Sequence, residues 1–364
     1  KHRYLTLLKS FILFMFGLFR TYLALWVVAS HIIALPFVGH YAVHGFFILS
    51  GYLMALVMNG VYGYSPQGTA TFALNRILRL FPSYWVVLIL TVGVVLILGE
   101  EVTSTYRPAI FLPTTAAEWL QNITMIFASW IPLSVQPRLA PATWALTIEL
   151  FYYALIGLGL FRWRHLTWAV FILSLGYHIT TIALELRYGT RYAFIVAGAL
   201  PFSIGGLIYH YRFWFEQRSP DIRLTYLLFI PLFALLPAIA SWLRQQGIDY
   251  PASGMFYVNM ALNAVAVGWL AKPSQRFDSP ADRFIGDFSY HIYIAHWTAA
   301  LIAAHYIVGV ARPNTTLEGG IVFVLAVLIC AGLSLVLRRY VDAPVEQLRT
   351  AAKRRRAAPG LDQA

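Results

Sequence analysis

Residues 20–31 have the sequence RTYLALWVVASH, in which an arginine and a histidine enclose ten mostly apolar residues. The flanking stretches FILFMFGLF (11–19) and IIALPFV (32–38) are more apolar still. A membrane-spanning helix needs roughly 20 predominantly apolar residues, and this region supplies them. Because ionisable side chains at membrane depth are costly and usually functional, Arg20 and His31 are the first candidates for a site.

The composition of the whole chain indicates the same class of protein. Of its 364 residues, 59% are hydrophobic and 12% are charged, whereas an ordinary soluble domain is about 25% charged. The 11 Trp and 22 Tyr are typical of a protein with two interfacial belts. The single cysteine, Cys330, excludes an intrachain disulfide and a cysteine zinc cluster, and we predict no metal site. The predicted fold class is an all-α polytopic membrane protein.

Ten apolar segments are predicted to span the membrane, and they leave no separate soluble domain. We therefore predict one integral membrane domain over residues 1–364, with a long loop at 100–143 and a basic tail over about 340–364. The predicted spans are 18–38, 41–60, 81–99, 144–161, 167–184, 191–211, 225–242, 253–271, 289–309 and 319–338.

The distribution of Lys and Arg predicts which side of the membrane each loop faces. With the N-terminus inside, 21 of the 27 basic residues lie on the inner side. Because positively charged loops stay in the cytoplasm, both termini are predicted to be cytoplasmic and the 100–143 loop to lie outside. The basic tail, with KRRR at 353–356, is predicted to bind anionic lipid rather than nucleic acid. The basic residues predicted to lie outside are Arg107, Arg138, Arg187, Arg191, Arg244 and Arg312.

Helical geometry places Arg20 and His31 on the same side of the first span. Eleven steps of 100° end about 20° beyond three full turns, and the axial separation is about 16 Å. The two side chains cannot touch, but they can line one channel, with Arg20 at its cytoplasmic mouth. Arg20 is alternatively an interfacial anchor whose head reaches the membrane surface. His31 is alternatively a core histidine bonded to a backbone carbonyl.

Two further arginines precede the third span. Arg76 and Arg79 are three residues apart and project on one side of a helix. Two guanidinium groups in this arrangement can hold a phosphate through bidentate, charge-assisted hydrogen bonds. The alternative is that both arginines only anchor the span at the cytoplasmic surface.

Glu149 and His296 are the remaining ionisable candidates at membrane depth. Glu149 is predicted to lie at about the depth of His31, where a carboxylate would orient a histidine that acts as a general base. Alternatively, Glu149 is bonded to a neighbouring tyrosine, Tyr152 or Tyr153. His296 is predicted nearer the cytoplasm, either in contact with a substrate in transit or bonded across helices.

Together these residues resemble acyltransferase family 3, membrane proteins that O-acylate carbohydrates and related acceptors. Three positions depart from the family pattern: Gly17 stands where Asp is frequent, Thr21 where Gly is usual, and His44 where Asp is common. The motifs that carry the resemblance are Arg20 with His31 eleven residues further on, GHYAVHGFFILSGYL (39–53), RILRLFPSYW (76–85), WALTIELFYY (144–153), SYHIYIAHW (289–297) and YVDAPVEQL (340–348).

The resemblance implies an enzyme of the acyltransferase class that transfers groups other than aminoacyl groups. Its donor would be a cytoplasmic acyl-CoA, with acetyl-CoA the expected one, and its acceptor a hydroxyl of a cell-envelope carbohydrate or glycolipid. Its location would be the inner membrane of a bacterium. Some members carry an extracytoplasmic esterase-like domain; none is evident here, so a separate extracytoplasmic transferase is an expected partner.

The resemblance also implies roles for single residues. His31 would be the catalytic base and Glu149 would orient it. The phosphates of CoA would be held by Arg76 and Arg79, together with Arg20, and His296 would position the donor.

A second function remains open from the sequence. Many spans with polar residues at depth also suit a transporter or exporter of a polar or lipid-linked solute. The sequence leaves the acceptor and the acyl group undetermined.

Overall fold

The structure is a computed structural model that describes residues 16–271, 280–309 and 311–347. Over these ranges the chain is helical and contains no strand. The helices are α1 (Gly17–Ile32), α2 (Val38–Val57), α3 (Pro66–Leu98), α4 (Glu100–Tyr106), α5 (Ala116–Thr124), α6 (Trp144–Gly157), α7 (Arg164–Ala183), α8 (Gly189–Tyr192), α9 (Ala199–His210), α10 (Arg212–Arg218), α11 (Ile222–Gln245), α12 (Asp249–Leu270), α13 (Pro280–Ile302) and α14 (Leu317–Leu337).

Each of the ten predicted apolar segments overlaps a helix of the structure, and the all-helical prediction is confirmed. In the part of the chain that the structure describes, five helices are long and apolar enough to cross a membrane. The number of spans and the side of each terminus stay predictions. Those five helices are Val38–Tyr62, Pro66–Leu98, Arg164–Ala183, Ile222–Gln245 and Leu317–Gln347. The first and the last continue beyond the ends of α2 and α14, and the other three coincide with α3, α7 and α11.

The first predicted span is shorter than expected. The α1 helix has 16 residues and ends at Ile32, so it is about 24 Å long, less than the roughly 30 Å of the hydrocarbon layer. Pro36 follows in a turn whose residues Ala34 and Phe37 have positive φ angles of 56° and 66°. This turn brings the chain directly into α2 and leaves His31 in the last turn of α1.

The α2 and α9 helices pack closely because glycines face backbone atoms at their crossing. A Cβ atom at Gly51 would lie 2.2 Å from the carbonyl oxygen of Phe202, and one at Gly205 would lie 2.1 Å from that of Ile48. Small residues allow such close approach of helices in apolar surroundings. This crossing holds α2, which lines the candidate site, against the second half of the chain.

The start of α1 is fixed by α13, from the other end of the sequence. The Asp282 carboxylate accepts hydrogen bonds from the backbone N–H groups of Gly17 (3.1 Å) and Leu18 (3.0 Å). The Thr21 hydroxyl donates to the carbonyl of Ile285 at 2.7 Å. A carboxylate at a helix N-terminus satisfies free N–H groups and favours the helix dipole. In the sequence comparison above, Gly17 stands where Asp is frequent. Here the Asp282 carboxylate of α13 binds the backbone at this position.

A second polar contact joins α3 to α13 and to the segment after α14. Asp342 accepts from the hydroxyl of Ser83 at 2.7 Å and lies 3.0 Å from Nε2 of His291. Because Ser83 lies on α3 and His291 on α13, this carboxylate sets the position of α3, which carries Arg76 and Arg79, against α13.

The segment predicted as an outer loop, 100–143, is folded over one end of the bundle. It contains α4, α5 and two short 3₁₀ turns, and a capping box between Thr115 and Glu118 starts α5. Arg138 is buried and donates to the carbonyls of Leu133 (2.6 Å), Val135 and Pro141 (3.2 Å). Burial lowers the pKa of Arg138 to about 10. Arg138 therefore holds the backbone of residues 133–141 together from the interior of the loop.

Several residues used in the topology prediction lie outside the described part of the chain. They are Lys1, Arg3 and Lys9, Lys272 and Arg276, and, in the basic tail, Arg349 and KRRR at 353–356.

The glycine crossing can be tested with one methyl group. We expect Gly51→Ala to lower the stability of the protein in detergent by about 1–3 kcal/mol, the usual cost of overpacking, because the new Cβ would meet a backbone oxygen. Gly93→Ala is the matched control, since no atom lies within 4 Å of its Cβ position. Thermal unfolding followed by size-exclusion chromatography measures both; equal stability of the two variants would contradict the close crossing.

Candidate functional site

Two cavities within the bundle contain the residues that the sequence singled out, apart from His296. We call the first, of about 100 Å³, the arginine cavity, and the second, of about 410 Å³, the histidine cavity. The arginine cavity is lined by Arg20, Ser50, Arg76, Arg79, Glu149 and Tyr153, among others; the histidine cavity is lined by His31, His40, Arg107, Trp144, Arg244 and Trp297, among others.

The two cavities share a wall. Val43 and Tyr293 line both of them, and the Tyr293 hydroxyl donates to the carbonyl of Ala142 at 2.8 Å. The sequence predicted one channel with Arg20 and His31 at its two ends. The structure places Arg20 in one cavity and His31 in the other, with Val43 and Tyr293 lining both.

The arginine cavity brings together three guanidinium groups from two helices. Arg20 comes from α1, and Arg76 and Arg79 come from α3. Arg76 is buried, and its Nε atom has no hydrogen-bond partner among the described residues. Arg20 is attracted electrostatically by Asp287 and Glu149 and repelled by Arg76. Three cations around one cavity, with a buried donor unused, are suited to binding an anion.

Glu149 lies in the arginine cavity and not beside His31. Its carboxylate accepts hydrogen bonds from the hydroxyls of Ser50, at 2.5 Å, and Tyr153. The bond to Tyr153 is the alternative that the sequence left open. The depth estimate differs because α1 ends at Ile32, so that His31 is in its last turn, whereas Glu149 is more than a turn inside α6.

His31 is bonded to His296 of α13. Nδ1 of His31 lies 2.9 Å from Nε2 of His296, with the ring centroids 5.1 Å apart and the ring planes inclined by 12°. His296 is fully buried, and its Nδ1 lies 2.8 Å from the carbonyl oxygen of Tyr293 and 3.3 Å from that of Ile292.

These contacts determine where the protons of both imidazoles lie when the rings are neutral. A carbonyl oxygen only accepts, so Nδ1 of His296 carries its proton and Nε2 of His296 has a lone pair. Nδ1 of His31 must then donate to that lone pair, which leaves Nε2 of His31 unprotonated. No hydrogen bond from Nε2 of His31 to another described residue is present, and His31 lines the histidine cavity. His31, which lines the cavity, therefore carries an oriented imidazole with an unprotonated Nε2.

Aromatic side chains and a further arginine surround this nitrogen. Trp297 packs against the His31 ring at 5.0 Å between centroids, and the guanidinium carbon of Arg107 lies 4.9 Å from the ring centre of Trp297. The charged group of Arg107 is thereby placed in the same cavity as the free nitrogen of His31. Burial lowers the pKa of Arg107, whose side chain lies in the segment after α4.

Arg107, Tyr293, Trp297 and Ser50 were not among the site residues predicted from the sequence. Trp297 and Tyr293 belong to the SYHIYIAHW motif, and Ser50 to the FILSG motif, so a signal for these three was present. Arg107 lies in a loop segment without periodicity, and nothing in the sequence distinguished it from the other basic residues of the predicted outer side.

The helices and the two polar cavities define this chain as an integral membrane protein with a buried polar site. The sequence model of the acyltransferase domain of acyltransferase family 3 matches residues 3–335. The chain therefore belongs to acyltransferase family 3, which confirms the resemblance in its motifs. No curated protein and no solved structure matches the chain.

The protonation of His31 is open to direct measurement. In protein labelled with nitrogen-15 histidine, we expect His31 to be protonated at Nδ1 and bare at Nε2 at slightly alkaline pH. The signal is assigned from its loss in His31→Gln. In His296→Leu, His31 loses its acceptor and should become a mixture of tautomers, whereas exposed His305 should be unchanged. A protonated Nε2 in the unmodified protein would contradict the assignment.

Proposed function

We propose that this protein transfers an acyl group, with acetyl the expected one, from acyl-CoA to a hydroxyl of a cell-envelope carbohydrate or glycolipid. Membership of the acyltransferase family supports the reaction class. The observation that carries the proposal is the free Nε2 of His31, which is held by His296 and lies next to a cavity lined by three arginines. A general base must present such a lone pair to the hydroxyl that it activates.

The orientation in the membrane follows from the positive charges. We assign the Arg20 end of the bundle to the cytoplasm and the His31 end to the outer side of a bacterial inner membrane, with ten spans. The arginine cavity would then receive the donor from the cytoplasm and the histidine cavity would receive the acceptor from outside. A separate extracytoplasmic transferase would serve any second transfer step.

The donor would be held by its phosphates. Arg20, Arg76 and Arg79 supply the planar donor groups that bind phosphate oxygens in pairs. At about 100 Å³ the arginine cavity accommodates part of CoA and not the whole molecule. The arm that ends in the thioester would cross the wall formed by Val43 and Tyr293, over about 16 Å of α1 between Arg20 and His31.

The chemical step needs one base and no redox partner. Nε2 of His31 takes the proton from the acceptor hydroxyl as its oxygen attacks the thioester carbonyl carbon. The carbon–sulfur bond breaks, and the proton on His31 passes to the thiolate, giving an O-acyl ester and free CoA. His296 stabilises the transient imidazolium by accepting its Nδ1–H. Base catalysis of this kind contributes typically 10²–10⁴-fold.

The roles of Glu149 and His296 in this proposal differ from those expected from the sequence. His296, rather than a carboxylate, orients the base, because it is the group bonded to Nδ1 of His31. Glu149 offsets part of the positive charge of the three arginines and is itself held by Ser50 and Tyr153. Glu149 would thus keep the three guanidinium groups in position when no donor is bound.

Replacing the base tests the central step. We expect His31→Gln to reduce acyl transfer by at least about 100-fold, with CoA binding unchanged, because the arginines are untouched. Transfer of radiolabelled acetyl from acetyl-CoA to an envelope glycan fraction, in proteoliposomes, measures the reaction. His305→Gln is the matched control, since His305 is exposed and lies outside both cavities. Full activity of His31→Gln would refute the mechanism, and solute exchange without acyl-CoA would favour a transporter.

Replacing two arginines tests the donor site. We expect Arg76→Gln combined with Arg79→Gln to weaken CoA binding by about tenfold or more, because two charge-assisted contacts are lost. Isothermal titration of the purified protein measures the affinity for CoA and for pantetheine, which is the arm of CoA without its phosphates. Only the affinity for CoA should fall. Arg218→Gln is the control, since Arg218 is exposed and stacked on Trp214. Unchanged CoA affinity would return Arg76 and Arg79 to a purely anchoring role.

A further inference from the structure

We propose that the acceptor entering the histidine cavity is anionic, with a carboxylate or phosphate on the acylated sugar or on its neighbour, and that Arg107 binds this group. The proposal rests on the proposed function and adds the chemical class of its acceptor. Four features of the cavity support it: the sign of its charges, the state of Arg107, its aromatic walls and the distance from Arg107 to His31.

The charged side chains of the histidine cavity all have the same sign. The charged residues that line it are Arg107 and Arg244, both positive, and neither Asp nor Glu is among the described residues of its lining. The arginine cavity differs, because Glu149 lies among its guanidinium groups. A cavity of one sign concentrates ligands of the opposite sign and raises their rate of entry.

Arg107 has an unused hydrogen-bonding capacity. Its Nε atom is buried and has no hydrogen-bond partner among the described residues. Arg138 in the same loop, by contrast, uses its Nε atom to donate to a backbone carbonyl and makes two further bonds to carbonyls. Leaving a buried donor of a charged group unpaired costs free energy, and an anion in the cavity would supply the missing acceptor.

The backbone around Arg107 is fixed, so its side chain is presented in a defined direction. Its N–H donates to the carbonyl of Thr103 at 2.9 Å, and its own carbonyl accepts from Ile110 at 2.9 Å. The guanidinium stacks on Trp297 through its face. Stacking leaves the in-plane N–H groups available, and these are the groups that bind carboxylate or phosphate as a fork.

The remaining walls suit the apolar faces of a sugar. Trp144, Trp297, Tyr192 and Phe37 line the cavity, and aromatic side chains combine a broad apolar surface with little conformational entropy to lose. The volume of about 410 Å³ lies in the range of small-molecule sites.

The distance between anion site and base limits which hydroxyl reacts. Arg107 and His31 contact the same indole, at 4.9 Å and 5.0 Å from its ring centre, so the guanidinium carbon and the imidazole are at most about 10 Å apart. An acceptor bound at Arg107 therefore presents to His31 a hydroxyl of the same sugar or of the next one.

The first test removes the charge from the acceptor. The full-length protein in proteoliposomes is given radiolabelled acetyl-CoA and an envelope glycan fraction from cells lacking its gene. One portion of the glycans is treated with carbodiimide and borohydride, which converts carboxylates to alcohols; another is treated with hydrofluoric acid, which removes phosphates. We expect one of the two treatments to lower transfer at least tenfold, and which one it is identifies the anion.

The outcomes of this test separate the two proposals. Equal transfer to untreated and to both treated glycans would overturn the anionic acceptor and leave the acyltransferase intact. No transfer even to untreated glycans would overturn the proposed function, and the acceptor proposal with it.

The second test removes the charge from the protein. We expect Arg107→Gln to raise the acceptor KM at least tenfold, with the acetyl-CoA KM unchanged, and Arg107→Lys to recover part of the loss. Removing the anion from the glycans should then have little further effect on Arg107→Gln. Arg312→Gln, an exposed arginine outside the cavity, is the matched control. CoA binding and thermal stability verify that each variant is folded.

The kinetic pattern decides the role of Arg107. A lower kcat with an unchanged acceptor KM would overturn the proposal, because it would mean that Arg107 acts on the reacting carbonyl. The proposal would also be overturned if removing the anion from the glycans lowered transfer by Arg107→Gln as much as it lowers transfer by the unmodified protein.

Discussion

The contact between α1 and α13 is the constraint on which the candidate site depends. At one end, Asp282 binds the free N–H groups at the start of α1; at the other, His296 accepts from Nδ1 of His31. Both are polar contacts in apolar surroundings, where an unpaired polar group is costly. The two helices can satisfy both ends only in one register, and that register leaves Nε2 of His31 free towards the histidine cavity.

The division of the interior into two cavities separates two kinds of chemistry. Three arginines and one carboxylate surround the first cavity, whereas histidines, two arginines and aromatic rings surround the second. Tyr293 takes part in both arrangements: its ring lies in the shared wall, and its carbonyl fixes the proton on His296. A change in the position of Tyr293 would thus affect the passage between the cavities and the orientation of the base together.

The fold could be predicted from the sequence further than the site could. Helices and their approximate ends follow from apolar length, which is a local property, and Pro36 explains why the first helix stops early. The alignment of Arg20 with His31 also follows from one helix alone. Tyr153 could be predicted as an alternative partner of Glu149 because it is one turn away on the same helix. Ser50 could not, because it is 99 residues distant in the sequence.

The sequence by itself determined the class of protein, its helical segments, its family and most of the residues that bear chemistry, because composition, periodicity and motif spacing are encoded along the chain. Only the tertiary structure decided that His31 is paired with His296, 265 residues away, that Glu149 lies with the arginines, and that Arg107 enters the histidine cavity. These facts depend on how helices cross and where a loop folds back, and crossings are set by packing between segments that no local pattern relates.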